Sequence, residues 1–188
     1  VFGNNDTPGV ILSSAAKEYL KVYGVLVGKN PLIFTNNDSG YETAIEFKKN
    51  GISPIVLDTR KNPSSEIINE AKNLNIDIKF SHVVVAAKGY KKVKSADIAK
   101  ISEDKKELSQ IENISCDCIC VSGFWTPTIH LASQSGNKTK FNEEIDAFIP
   151  SQPKQNETTL GSAKGVFTLE ETLKTSFEKG FELSKKIT

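Results

Sequence analysis

The residue types that most directly suggest chemistry lie in a turn at residues 35–40. A strand-like run, PLIFT, leads into this turn, and a helix-like run that ends at Gly51 leaves it. Such a turn binds a dinucleotide when it has the pattern Gly-x-Gly-x-x-Gly, because glycines form the tight turn and let the backbone approach the diphosphate. We aligned the pattern by counting back from Gly51. The residues at its three glycine positions are Thr35, Asn37 and Gly40.

Two of the three glycines that the pattern requires are therefore replaced. Gly40 is kept, and it lets the helix pack closely against the strand. Thr35 is stiff where a tight turn is needed. Asparagine tolerates left-handed backbone angles, but the Asn37 side chain would fill the space that the phosphates need. Asp38 stabilises the helix N-terminus and repels a diphosphate, so we predict a folded unit with a closed dinucleotide site.

An acidic residue ends the next strand-like run, SPIVLD, 18 residues after Gly40. In dinucleotide-binding units, an acid at this place accepts hydrogen bonds from the ribose hydroxyls. Asp58 is thus the residue that we expect to contact a ribose if a ligand binds.

The histidines and cysteines, which could support catalysis or metal binding, occur in sequence contexts that favour structural roles. His82 and His130 each lie among apolar residues, which favours a structural role. Cys116, Cys118 and Cys120 alternate at strand spacing, which predicts one buried face of free thiols rather than a disulfide or a zinc site. We predict no catalytic residue and no metal site in this chain.

Composition and charge argue against several classes of function. The chain has 188 residues, of which 38% are apolar, and its 24 basic and 23 acidic residues give a net charge of +1. This balance argues against nucleic-acid binding. We interpret the lysine-rich stretch at 88–100 as a solvated hairpin face. No apolar run reaches the roughly 18 residues of a membrane span, and the polar start does not resemble a signal peptide. We expect a cytoplasmic protein, and we interpret the lack of any Met as a sign of a fragment.

The elements that position the turn follow from apolar periodicity and turn signals. With the two strands already described, the predicted elements are a helix over 6–24, a helix over 39–51, a helix over 62–76, antiparallel strands within 77–101, a strand at 116–123 and a helix from about 168 to 186. This order predicts an α/β fold of three layers (ββα), a Rossmann-like domain of the nucleotide-binding type. We expect an inserted inner domain at 29–115 and a partial outer domain formed by 1–28 and 116–188.

Four stretches of the sequence together resemble a known family. They are NNDTPGVILSSAAKEYLKVYGV, FTNNDSGYETA, CDCICVSGFWTPTIHLASQSG and GSAKGVFTLEETLKTSFEKG. They resemble the alpha subunits of heterotetrameric sarcosine oxidases over nearly all of the chain. The resemblance implies the FAD/NAD(P)-binding, two-domain flavoprotein fold of glutathione-reductase-like proteins.

The resemblance also implies an activity, cofactors and partners. The family demethylates sarcosine to glycine with oxygen and passes the one-carbon unit to tetrahydrofolate. The alpha subunit holds NAD, the beta subunit carries FAD and the amine-oxidising site, and FMN lies between them. The partners of the chain would be the beta, gamma and delta subunits, and tetrahydrofolate would bind a domain outside this stretch. We expect the chain alone to bind none of these cofactors tightly.

The resemblance carries cofactor contacts over to four positions. Gly123 ends the strand that closes on the bound dinucleotide. Gly161 matches the glycine of a late Gly-Asp motif, and Ser162 replaces its acid. Gly165 precedes the last helix, whose N-terminus faces a phosphate.

Two other interpretations stay open beside a non-catalytic segment of a sarcosine oxidase. The chain would alternatively be part of the alpha subunit of a related amine dehydrogenase of the opine, proline or cyanide-forming glycine type. It would otherwise be a self-contained interaction domain without a cofactor.

Overall fold

The computed structural model describes residues 1–104 and 106–187, the last two of them by their backbone alone. The chain divides into two compact units, one over Val1–Phe124 and one that begins at Trp125. The predicted assignment of 29–115 to an inner domain stays a prediction. The strand Cys118–Ser122, outside that range, pairs with the strand Pro31–Thr35 inside it, within the first unit.

A parallel sheet forms the middle layer of the first unit. The elements of this unit, in chain order, are β1 (Val10–Leu12), α1 (Ser13–Tyr23), β2 (Pro31–Thr35), α2 (Ser39–Lys49), β3 (Ile55–Asp58), α3 (Glu66–Asn73), β4 (Asp77–Phe80), β5 (His82–Lys88), β6 (Ser95–Lys100), β7 (Glu112–Ser115) and β8 (Cys118–Ser122). The sheet has the order β1-β8-β2-β3-β4, and its neighbouring strands are parallel. The carboxyl ends of β1, β2 and β8 therefore meet at one edge.

Each face of the parallel sheet carries its own apolar core. On one face, the buried side chains of Tyr41, Ala44 and Phe47 on α2 pack against Ile33 and other strand residues. On the other face, the antiparallel strands β5, β6 and β7 cover a second cluster. Alternate residues of one strand enter opposite clusters, as for Leu32 and Ile33. The predicted three-layer α/β fold is confirmed.

The predicted helix over 6–24 is wrong in its first half. Val10–Leu12 is a strand that pairs with β8, and α1 begins only at Ser13. Two of these three residues are β-branched, and they find a parallel partner far along the chain, which outweighs the local helix signals. The predicted helix end is right, since Gly24 adopts the left-handed conformation and its N–H bonds to the carbonyl oxygen of Leu20.

Two further expectations need correction. β4 pairs in parallel with β3, so it extends the central sheet instead of starting the antiparallel strands. The cysteines do not share one face, because Cys118 and Cys120 pack on the helix side of the sheet and Cys116 packs on the side covered by β5, β6 and β7. Cys116 lies before β8 begins, where the strand alternation no longer applies.

The second unit contains short elements followed by a long helix. They are α4 (His130–Gln134), β9 (Thr139–Asn142), β10 (Ala147–Pro150), a 3-10 turn (Gly161–Lys164) and α5 (Leu169–Ile187). β9 and β10 form an antiparallel hairpin. The predicted C-terminal helix is confirmed as α5. Among the helices in the described part of the chain, none has the length and apolar character needed to cross a membrane.

Candidate functional site

The turn from β2 to α2 lies at the edge where the carboxyl ends of β2 and β8 meet. Thr35 is the last residue of β2 and is buried. Its hydroxyl donates to the carbonyl oxygen of Asn37 at 2.8 Å and accepts from the N–H of Asn37 at 3.1 Å. The threonine side chain thereby closes the turn that a glycine forms in the dinucleotide pattern. Asn37 does not adopt a left-handed backbone conformation.

The side chain of Asn37 joins the ends of the two strands. Its amide group donates to the carbonyl oxygens of Ser122, at 3.4 Å, and of Gly123. Its amide oxygen accepts from the backbone N–H of Ser39 at 3.0 Å and from the Ser39 hydroxyl at 2.7 Å. The side chain therefore fills the space between the two strand ends, as predicted, and also accepts a hydrogen bond from the first turn of α2.

A second contact between side chains strengthens this closure. The hydroxyl oxygens of Ser39 and Ser122 are 2.6 Å apart, and the Ser122 hydroxyl also lies 3.3 Å from the amide oxygen of Asn37. The polar groups that would face a diphosphate at this edge thus bond to one another.

Gly40 has the packing role that the sequence predicted. A Cβ atom at this position would lie 2.6 Å from the Cβ of Thr35 and 2.7 Å from its hydroxyl oxygen. Contacts this short require the helix or the strand to move. The glycine that serves helix packing is kept, and the threonine against which it packs stands at the first glycine position.

An ionic cluster around one buried carboxylate lies at the end of the neighbouring strand. Asp58 is fully buried at the end of β3 and accepts a hydrogen bond from the Tyr41 hydroxyl at 2.7 Å. Arg60 donates to Asp58 through its backbone N–H at 2.9 Å and through its guanidinium at 2.9 to 3.2 Å. The same guanidinium lies 2.8 Å from a carboxylate oxygen of Asp38.

These contacts shift the pKa values of Tyr41 and Arg60. Burial raises the pKa of Tyr41, and the hydrogen bond to the Asp58 carboxylate raises it further. Burial disfavours the charged form of Arg60, but its bonds to Asp58 and Asp38 outweigh that effect and raise its pKa. A neutral tyrosine and a cationic arginine therefore hold the carboxylate. The expectation that Asp58 contacts a ribose is wrong, because its oxygens are already bound within the chain.

The residues of this turn do not fit the diphosphate of a dinucleotide. The Asn37 amide fills the approach, and the first-turn N–H of Ser39 already has a partner. Asp38 sets a negative charge beside the start of α2. Among the described residues, the Arg60 guanidinium is the one cation paired with it, and that guanidinium also bonds to Asp58. The negative charge of Asp38 offsets the favourable field that the N-terminus of α2 would otherwise give a diphosphate.

Two open cavities flank the closed turn in the first unit. One, of about 510 Å³, lies at the carboxyl ends of β1, β2 and β8 and has mainly apolar walls, including Phe2, Leu12, Phe34 and Val121. The other, of about 1110 Å³, lies beyond β3 and β4. Its charged residues are of both signs and include Arg60, Lys61, Lys100 and Glu103. The first cavity reaches the closed turn itself, since Thr35 and Asn36 line it together with Ser122 and Gly123.

Three of the four positions implied by the family resemblance lie in one turn of the second unit. Gly161 begins the 3-10 turn and Gly165 follows it, and both have left-handed backbone conformations. Ser162 lies between them and is exposed. A Cβ at Gly161 would lie 3.0 Å from Thr172, and one at Gly165 would lie 2.6 Å from Ile145. Both glycines therefore have packing roles of their own.

The first turn of α5 already carries negative charge. Glu170 and Glu171 occupy it, and Thr168 lies directly before it. These carboxylates stabilise the helix N-terminus, as a phosphate would. Gly123 belongs to the first unit, where a Cβ would meet no atom within 4 Å, and its carbonyl oxygen accepts from Asn37. Cofactor contact at all four positions stays a prediction.

The cysteines are free and buried. Burial raises the pKa of Cys116 to about 12. A hydrogen bond with Cys118, together with burial, raises the pKa of Cys120. Thiols in this state are poor nucleophiles at neutral pH. Among the residues that the structure describes, no group of three or more His, Cys, Asp or Glu side chains is arranged to hold a metal ion.

Sequence reasoning missed three residues that complete the closed edge. Tyr41 and Arg60 hold Asp58, and Ser122 bonds to the β2–α2 turn. Arg60 could be predicted as a partner of Asp58, since it lies two residues after this acid at the end of a strand. Tyr41 and Ser122 carry no local signal, because their roles depend on which strands and helices meet.

The sequence is similar to that of known proteins over nearly its whole length. It is 30% identical over 182 residues to the sarcosine oxidase subunit alpha of Corynebacterium sp. (strain P-1), which covers 96% of this chain and 19% of the relative. It is 32% identical over 165 residues to the subunit of the same name from Rhizobium meliloti (strain 1021), which covers 87% of this chain and 16% of the relative. The chain thus spans about a fifth of the length of these relatives. No family model matches it.

The fold is that of solved flavoprotein reductases. The structure superposes on thioredoxin reductase from Lactococcus lactis with a TM-score of 0.72 and 15% sequence identity, covering 98% of this chain and 60% of that protein. At this identity the likeness establishes the fold alone. The expected resemblance is confirmed: the chain is similar over nearly all of its length to a segment of the alpha subunit of sarcosine oxidase, and it has the fold of the FAD/NAD(P)-binding flavoprotein reductases.

Proposed function

We propose that the chain is a non-catalytic segment of the alpha subunit of a multisubunit sarcosine oxidase. In this proposal the whole enzyme is an oxidoreductase that demethylates sarcosine to glycine. The segment supports cofactor holding and contacts between subunits, and the amine chemistry takes place elsewhere. The curated relatives named above support this proposal, since the match extends over 96% of the chain.

The observation that carries the non-catalytic role is the closure of the β2–α2 turn by Asn37. Its side chain bonds to both strand ends and to the start of α2. In this unit the fold is of the dinucleotide-binding type, but the polar groups of the turn bond to one another. The unit therefore keeps the scaffold without a place for the diphosphate at this turn. We infer that the family fold is used here as a rigid support.

An exposed apolar row on α5 supports the view that further polypeptide covers this segment. Leu169, Leu173, Phe177 and Phe181 recur every fourth residue and are each more than half exposed. Residues at this spacing lie on one face of a helix, and such faces are normally buried. Because the relatives are about five times longer than the match, we propose that another part of the same subunit packs on this face.

The cofactors and partners follow from the same proposal. NAD is held in the full alpha subunit, FAD and FMN in the complete complex, and tetrahydrofolate by a domain outside this chain. Gly123, Gly161, Ser162 and Gly165 are the positions proposed to touch a cofactor. The beta, gamma and delta subunits are the proposed partners. We propose a cytoplasmic location because the three cysteines stay unpaired.

The test is an assay of the assembled multisubunit enzyme that contains this segment. Sarcosine-dependent oxygen consumption is measured for the unaltered enzyme and for Asn37→Ala, with Asn62→Ala as a matched exposed control. The proposal expects all three to turn over sarcosine at the same rate per assembled complex. A large loss of kcat in Asn37→Ala with assembly intact would contradict a non-catalytic role. Preference for proline, an opine or glycine over sarcosine would favour the amine dehydrogenase interpretation instead.

A further inference from the structure

The hairpin between β5 and β6 is a strongly basic surface of the first unit. The sequence Lys88-Gly-Tyr-Lys-Lys-Val-Lys94 places four lysines within seven residues. Lys88, Lys91, Lys92 and Lys94 are all exposed. Tyr90, between them, is 93% exposed and is among the most exposed large side chains of the described chain.

The backbone holds this hairpin firmly. Val93 is fully buried in the core between the parallel sheet and the strands β5, β6 and β7. Its N–H donates to the carbonyl oxygen of Pro8 at 2.9 Å. The N–H of Lys94 donates to the carbonyl oxygen of Lys88 at 2.8 Å and closes the turn. A Cβ at Gly89, whose φ is +149°, would lie 1.9 Å from the carbonyl oxygen of Lys92. The turn therefore depends on glycine, and the exposed side chains start from a fixed backbone.

Only part of the positive charge is neutralised within the chain. Lys88 lies 3.0 Å from Asp97 of β6. Asp117 lies near the hairpin base, but its carboxylate accepts from the backbone N–H groups of Lys29 and Asn30 at 2.7 and 2.8 Å. Asp6 lies two residues before Pro8 and is exposed. Lys91, Lys92 and Lys94 form no ion pair with any described residue.

We propose that this hairpin tip, Lys88 to Lys94, docks onto an acidic surface of another protein chain. An aromatic side chain on a rigid backbone buries a large area with little loss of conformational entropy, as in central interface contacts. The surrounding lysines steer an acidic partner and add complementary charge at the rim of the contact.

A protein partner fits the rest of the molecule better than a nucleic acid does. The chain carries 23 acidic residues against 24 basic ones, so its charge gives no extended basic track for a phosphate backbone. The patch is short and contains one aromatic residue, which suits a compact contact with another folded surface. This proposal does not depend on the closed turn. The hairpin contacts Pro8, before β1 begins, whereas the turn lies at the carboxyl ends of β2 and β8.

The test measures binding of a fluorescent glutamate-leucine peptide to the 188-residue chain at low ionic strength. The matched probe is a glutamine-leucine peptide of the same length. Lys91→Glu with Lys92→Glu is expected to weaken binding of the acidic peptide by about tenfold or more, and Tyr90→Ala by about threefold or more. Lys140→Glu with Lys174→Glu makes the same charge change on exposed sites of the second unit and is expected to alter binding less than about twofold.

Circular dichroism of each variant confirms that the fold is kept. Lack of binding by the acidic peptide, or an equal loss in both double variants, would overturn the proposal. Tighter binding to a single-stranded oligothymidine or to phosphatidylserine vesicles than to the acidic peptide would also overturn it. Acidic-peptide binding that is lost only in the hairpin variants supports it.

Discussion

The side chain of Asn37 donates a hydrogen bond to the carbonyl oxygen of Gly123, 86 residues further along the chain. This contact joins the end of β2 to the end of β8 at the edge where flavoprotein folds bind a diphosphate. The same amide accepts from the start of α2. The Asn37 side chain thus bonds to the end of β8 and to the start of α2, at the place where a ligand would bind.

Replacement of Asn37 is expected to weaken the fold. Asn37→Ala removes the acceptor of the Ser39 N–H and the side-chain donor to the Gly123 carbonyl oxygen, so we expect a loss of about 2 kcal/mol in the free energy of unfolding. Urea unfolding followed by circular dichroism measures this. Asn62→Ala, at an exposed position, serves as the control and is expected to change stability by less than about 0.5 kcal/mol. Equal effects of both changes would show that the hydrogen bonds of the Asn37 side chain do not stabilise the fold.

The packing role of Gly40 predicts that even alanine is too large there. The new Cβ would meet Thr35 at 2.6 Å, and overpacking of this kind costs about 1–3 kcal/mol. The control is Gly123→Ala in the same unit, where a Cβ meets nothing within 4 Å, with an expected change within about 0.5 kcal/mol. Unfolding midpoints of the two variants test this, and a Gly40→Ala protein as stable as the original would refute the close contact.

Removal of Arg60 is expected to leave a buried carboxylate without its cation. Asp58 is fully buried, so Arg60→Ala should destabilise the chain by about 3 kcal/mol. Its neighbour Lys61 is paired with Glu103 at an exposed site, where Lys61→Ala should cost less than about 0.5 kcal/mol. Thermal and urea unfolding compare the two. Similar losses would mean that the cluster around Asp58 adds no more than a surface ion pair.

The protonation of Tyr41 predicts a loss of stability at alkaline pH. The folded chain raises the pKa of Tyr41, whereas in the unfolded chain the phenol titrates near pH 10. The unfolded state therefore releases this proton first, so the contribution is complete below about pH 10 and falls as the pH rises above it. Tyr41→Phe should unfold with a shallower pH dependence in this range. Identical slopes for both proteins would contradict a buried, protonated tyrosine.

The buried thiols are expected to resist modification. Because the pKa of Cys116 is raised to about 12 and all three cysteines are buried, a disulfide reagent at pH 8 should react only as the chain opens. Thiol titration before and after addition of guanidinium measures this. Rapid reaction of a thiol in the native chain would show that one of the three is accessible.

The layer order and the closed turn were predictable from local sequence. Thr35, Asn37 and Gly40 stand at positions with known backbone demands, so their side chains alone indicate a turn without room for phosphates. The strand at Val10–Leu12 was not predictable, since its partner β8 lies near the far end of the first unit. Asp58 was misread for a related reason. Its partners Tyr41 and Arg60 satisfy it only once α2 packs on the sheet, and no local pattern shows that contact.

Calorimetric titration of the 188-residue chain with NAD⁺ tests the central claim most directly. The claim is that the Asn37 side chain closes the diphosphate turn and leaves the fold as a scaffold. The predicted result is no saturable heat of binding at NAD⁺ concentrations up to about 1 mM, that is, an affinity weaker than about −4 kcal/mol. Saturable binding of NAD⁺ with a micromolar Kd would contradict the closed turn.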